Sequence, residues 1–167
     1  MGEKRKVCVL SKIVFDKFCE ERRLNDMNVE EVGKDYAFIS IICEKDANER
    51  YIKDREEHWF NENHANVLNL EFDDVENECE MRGVPFFPIS EKQAKETVEF
   101  IERNLDKNFI IHCRAGISRS QAVGQFLLEN YDGHFVESEL SNPHILHNKR
   151  VMKELLKAKY GPMVKEQ

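Results

Sequence analysis

Two spacings of apolar residues alternate along this chain, one of two residues and one close to 3.6, and their order predicts strands interleaved with helices. Lys6 to Leu10 reads as a strand, followed by a helix from Ser11 to Arg22 that Ser11 caps, with Val14, Phe15, Phe18 and Cys19 on one face. Tyr36 to Cys43 is a continuous apolar run of the kind found in buried strands. Val67 to Phe72 alternates, which puts Leu68, Leu70 and Phe72 on one side. Ser90-Glu91-Lys92-Gln93 is a capping box, and the helix it opens carries Ala94, Val98, Ile101 and Leu105 on one face. Asn142-Pro143 reads as a turn, and Asn148 opens a last helix with Val151, Met152, Leu155 and Leu156 inward, stopped by Gly161-Pro162. Ala47 to Phe60 is highly charged and ambiguous, with a surface helix ending at Trp59-Phe60 as one reading. Strands alternating with helices, without repeats or low-complexity linkers, predict an α/β fold: one domain over residues 1–167 with a central, largely parallel sheet flanked by helices.

One junction in this pattern carries chemistry. Asn108 to Ile111 is a short apolar strand run and Ser120 to Leu128 has helical spacing, so His112-Cys113-Arg114-Ala115-Gly116-Ile117-Ser118-Arg119-Ser120 is a strand-to-helix turn. Backbone N–H groups of such a turn converge with the unpaired N–H groups of the helix start, where the helix dipole is positive, and an anion binds there. A thiol at that point loses its proton more readily, so Cys113 reads as a nucleophile. Gly116 lets the backbone close around a phosphate, Arg119 offers a planar fork to two of its oxygens, and Ser120 can hydrogen-bond the sulfur. A structural cysteine before an ordinary helix would leave Gly116 and Arg119 without a reason.

The spacing H-C-x-x-G-x-x-R-[ST] resembles the signature loop of the cysteine-based protein tyrosine phosphatase superfamily, and the rest of the chain is similar in looser form to its compact dual-specificity members. The resemblance implies a phosphotyrosine protein phosphatase-like fold and hydrolysis of phosphate monoesters through a phosphocysteine on Cys113. Arg119 and the backbone N–H groups of Arg114, Ala115, Gly116, Ile117, Ser118 and Arg119 would hold the phosphoryl oxygens. Asp74, 39 residues before Cys113 in a stretch similar to the family's acid-bearing loop, would protonate the leaving group, with Asp73 as the competing carboxylate. Ser120 would assist thiolate departure, and His112 would orient the Cys113 backbone and favour ionisation. Asn148 resembles the asparagine that braces the signature loop, and its other reading is a plain helix cap, the two being compatible. Cys43 is placed like the resolving thiol of the phosphatase-and-tensin type, which makes it a candidate redox partner of Cys113. A small buried side chain is its other reading. No metal or cofactor is implied, and His144 and His147, three apart, lack a further ligand at metal spacing.

Composition narrows the setting. A net charge of -7 argues against general nucleic-acid or anionic-membrane binding, and no apolar run reaches the roughly 20 residues of a membrane span. Lys4-Arg5-Lys6 reads as a solvated strand edge. Five cysteines without C-x-x-C spacing fit a reducing cytoplasm rather than a disulfide scaffold or zinc site. The expected partner is a phosphorylated protein or peptide, the expected state a monomer without stable membrane association. In 167 residues there is little room for the deep pocket of tyrosine-specific relatives, so a shallower site taking phosphotyrosine and phosphoserine/threonine is expected. Phosphoinositide or other small phosphate-ester hydrolysis, a catalytically silent phosphoprotein-binding module and a thiol redox or arsenate-reducing protein are the alternatives.

Overall fold

The computed structural model describes residues 3–44, 56–143 and 146–162. Along the chain these form β1 (Arg5–Ser11), α1 (Lys12–Glu21), β2 (Tyr36–Ile42), β3 (Val67–Glu71), β4 (Cys79–Met81), β5 (Val84–Phe86), α2 (Glu91–Arg103), β6 (Asn108–Cys113), α3 (Arg119–Asn130), β7 (Phe135–Glu137) and α4 (Lys149–Tyr160). The fold is α/β. Five strands make one sheet in the order β3-β2-β6-β1-β7, and every neighbouring pair is parallel.

Both faces of this sheet are covered, which is why its strands read as apolar runs rather than clean alternations. Successive side chains still point to opposite faces. Val7, Val9, Ala37, Ile39, Ile41, Phe109 and Ile111 pack with Val98, Ile101, Phe126 and Leu155 of α2, α3 and α4. Cys8, Leu10, Phe38 and Ile110 pack on the other side with Phe15 and Cys19 of α1. The Cys113 side chain belongs to the first face, whereas the ring of His112 lies on the second, 4.2 Å from that of Phe15.

Capping follows the sequence. Ser11 Oγ accepts from the N–H of Val14 at 3.3 Å, and Ser90 and Gln93 exchange both bonds of a capping box. One expectation for α1 fails, because Val14 is 48% exposed. It sits in the first turn, which begins where the Lys12 N–H donates to the Arg114 carbonyl at 3.1 Å, beyond the edge of the sheet. Residues 45–55 lie outside the described residues. The described remainder of the ambiguous segment, residues 56–60, is not helical, and Phe60 is fully buried against Phe38. An unforeseen hairpin joins β4 to β5 through Arg82 and Gly83 at φ 52° and 77°. Positive φ at both central residues is the requirement of a type I′ turn.

Among the described residues no helix is long and apolar enough to cross a membrane.

Candidate active site

Cys113 ends β6, α3 starts at Arg119, and the intervening loop lies at the carboxyl ends of parallel strands, where open α/β sheets place ligands. Gly116 makes the turn possible. Its φ is +72°, and a Cβ there would stand 2.6 and 2.7 Å from the carbonyl carbon and oxygen of Leu10 and 2.5 Å from Asn142 Nδ2. The loop carbonyls are fastened from behind: Gln121 Nε2 donates to Gly116 O at 3.0 Å, and Asn142 Nδ2 to Gly116 O at 3.2 Å and Ala115 O at 3.3 Å. Tying the carbonyls outward leaves N–H groups for the inside of the loop, because the two groups of a trans peptide point in opposite directions.

The Cys113 thiol is 2% exposed, with Sγ 3.0 Å from Ser120 Oγ. Burial alone would push its pKa up. Hydrogen bonds from the Ser120 hydroxyl and N–H, the charge of Arg119 and the Ser118 N–H outweigh that and hold the thiol below its ordinary value. Ser118 takes the N-cap position of α3 without a side-chain capping bond, so this helix start has no internal hydroxyl competing for its N–H groups.

Arg119 is 5% exposed and anchored by Nη1 on the carbonyl of Phe72 at 2.9 Å. Its Nε is buried and has no hydrogen-bond partner among the described residues. A buried donor of a guanidinium without an acceptor is costly, and an anionic ligand beside the thiol is what would satisfy it.

The two adjacent carboxylates separate cleanly. Asp73 is 2% exposed, and its oxygens accept from the N–H groups of Glu44 at 3.1 Å and Phe87 at 2.8 Å. It is a structural tie between two loops, with both oxygens engaged by backbone N–H groups. Asp74 is exposed, and its Oδ1 accepts from Ser118 Oγ and from Asn148 Nδ2, both at 2.8 Å. Asn148 caps α4 with its side chain and reaches the loop through its backbone. Its Oδ1 accepts from the Val151 N–H at 3.1 Å as the cap of α4, and its own N–H donates to the Ser118 carbonyl.

His112 is fully buried, and burial pulls its pKa down to about 3. It is neutral at pH 7 and faces away from the thiol, with Nδ1 donating to the Cys113 carbonyl at 3.1 Å. Cys43 follows β2 as a half-buried free thiol, pushed up to about 12 by burial and by Glu56, with the Arg119 charge acting the other way. It is therefore protonated at neutral pH, its pKa moved in the opposite direction from that of Cys113. Arg114, Ala115 and Ile117 form the exposed outer rim of the loop. His147 is exposed, and His144 lies outside the described residues. No group of three or more His, Cys, Asp or Glu among the described residues could hold a metal ion.

Sequence reasoning missed Gln121 and the bracing role of Asn142, as well as Ser40 and His58 behind His112. Only Ser40 left a trace in the sequence, as the one aliphatic hydroxyl inside Tyr36-Ala37-Phe38-Ile39-Ser40-Ile41-Ile42. No protein-family model, curated protein or solved structure matches the chain.

Proposed function

We propose that this protein is a metal-independent phosphomonoester hydrolase acting through a phosphocysteine, with phosphotyrosine and phosphoserine/threonine in proteins as its substrates. The observation that carries this reading is the pairing of a thiol held below its ordinary pKa, Cys113, with a buried guanidinium, Arg119, whose Nε lacks an acceptor among the described residues. A thiolate repels an anion unless donors surround the phosphoryl oxygens, and this loop has both.

In the first step Cys113 Sγ attacks phosphorus in line with the ester oxygen. The P–O bond breaks as the S–P bond forms, and Asp74 delivers its proton to the departing alkoxide or phenoxide. In the second, Asp74 takes a proton from water attacking phosphorus, the S–P bond breaks, and the Ser120 hydroxyl receives the thiolate. Throughout, Arg119 and the loop N–H groups keep the equatorial oxygens in place, a charge-stabilising role that metal ions serve in other phosphoryl transfers. A thiol that ionises readily is easily oxidised, which fits a reducing, cytoplasmic setting for the protein.

Release of phosphate from an aryl phosphate in the presence of EDTA tests this reading. Turnover by the parent protein and none by Cys113→Ser is the expected result.

A further inference from the structure

Behind the loop runs a buried chain of side chains that the reaction itself does not use. His112 Nδ1 lies 3.1 Å from the Cys113 carbonyl, His112 Nε2 lies 2.6 Å from Ser40 Oγ, and Ser40 Oγ lies 2.7 Å from His58 Nδ1. Register supports it, since Ser40 of β2 is the partner of His112 on β6. His58 comes from the segment before β3, and its Nε2 stands 3.4 Å from Glu71 Oε2 without a hydrogen bond.

The proton positions follow from chemistry. A carbonyl only accepts, so His112 Nδ1 carries the hydrogen. A neutral imidazole then has a lone pair on Nε2, and the Ser40 hydroxyl must donate to it. The Ser40 oxygen in turn accepts from His58 Nδ1–H. Both imidazoles are held neutral, His112 by burial and His58, drawn down to about 4, by burial and the charge of Lys12. The charged groups bearing on the chain are Lys12 on α1, Arg119 on α3 and Glu71 at the end of β3.

We propose that Ser40 and His58 are positioning residues for Cys113, acting through His112 to fix the plane of the Cys113–Arg114 peptide. The proposal rests on the reading of Cys113 as the nucleophile of an anion-binding loop. With its carbonyl tied to the α1 side, this trans peptide turns the Arg114 N–H to the opposite side, toward the sulfur and the phosphoryl oxygens. If Ser40 cannot donate, His112 loses its fixed tautomer and orientation, and the peptide can rotate its carbonyl dipole toward the thiolate. That raises the thiol pKa and weakens anion binding without removing any group from the pocket.

The test is the pH dependence of Cys113 alkylation by iodoacetamide, read on the Cys113 peptide by mass spectrometry, with and without inorganic phosphate as protecting ligand. His58→Leu and Ser40→Ala should raise the midpoint by about one pH unit, a roughly tenfold loss of thiolate at lower pH. Protection by phosphate should weaken in parallel. His58→Asn keeps an N–H donor near the Nδ1 position and should restore both towards the parent. An unchanged midpoint and unchanged protection in His58→Leu overturn the proposal, and so does a His58→Asn variant that shifts as far as His58→Leu, since that marks mere packing. Circular dichroism checks folding, and because Ser40 is fully buried the His58 pair decides if Ser40→Ala does not fold. Alkylation requires no turnover, so a protein that shifts as expected yet hydrolyses no phosphate ester would fail the hydrolase reading alone.

Discussion

Ser118 Oγ donates to Asp74 Oδ1 at 2.8 Å, so the loop that would hold the phosphate also holds the carboxylate that would protonate the leaving group. Asn148 donates to the same oxygen. Two donors on Oδ1 leave Oδ2 as the oxygen available to carry and deliver a proton. Asp74, the loop and the start of α4 thus form one connected unit.

From this arrangement Asp74→Asn should reduce turnover of phenyl phosphate by about 100-fold or more, within the usual contribution of a general acid. On 2,4-dinitrophenyl phosphate, whose leaving group departs without help, the loss should stay below about tenfold. Steady-state kinetics on the two esters checks it, and equal losses on both would remove Asp74 from the acid role.

Asp73 should behave differently. Replacing it with Asn turns an amide NH2 toward one of the two backbone N–H groups it now serves, at a cost of about 1–3 kcal/mol in stability. Urea unfolding measures this. The leaving-group dependence of turnover should stay as in the parent.

Gly116→Ala should be the most damaging small substitution in the loop. Its Cβ would press on the Leu10 backbone at 2.6–2.7 Å from a residue at positive φ, and neither side can yield without moving the loop. Misplacing the N–H groups by about 1 Å should cost on the order of 100-fold in turnover. Phosphate protection of Cys113 against alkylation should be lost as well.

The two neutral histidines make stability depend on pH. Both have folded-state pKa values depressed from about 6.5, to about 4 for His58 and about 3 for His112. Above pH 6.5 neither state binds the protons and nothing is lost. Below it the unfolded chain takes up two protons that the native state refuses until pH 4 and 3, so stability falls as pH drops. Linkage gives a slope of about 2.7 kcal/mol per pH unit between roughly pH 6 and 4, and His58→Asn should remove about half of it. Urea midpoints across that range check the slope.

Much of this was legible in the sequence, and what was not has a physical cause. The spacing of Cys113, Gly116, Arg119 and Ser120 announced the loop because each position admits only one or two residue types. The caps Ser11, Ser90 and Asn148 announced helix starts because their bonds are local. Which of Asp73 and Asp74 faces solvent was not local: it depends on the N–H groups of Glu44 and Phe87, distant in sequence. The same holds for Asn142 and His58, whose partners are distant in sequence and are brought together by the fold. The exposure of Val14 reflects where α1 begins relative to the sheet edge, which helical periodicity does not encode.

The proposed reaction requires a covalent phosphoryl group on Cys113, and that group can be trapped. The protein is mixed with an aryl phosphate, quenched in acid on the millisecond scale, digested and examined by mass spectrometry. Asp74→Asn, which should slow hydrolysis of the intermediate, serves as a second sample. A Cys113 peptide heavier by one phosphoryl group, present in both and absent from Cys113→Ser, is the result expected. Steady release of phosphate with no such peptide in either sample, or with equal release from Cys113→Ser, would contradict it.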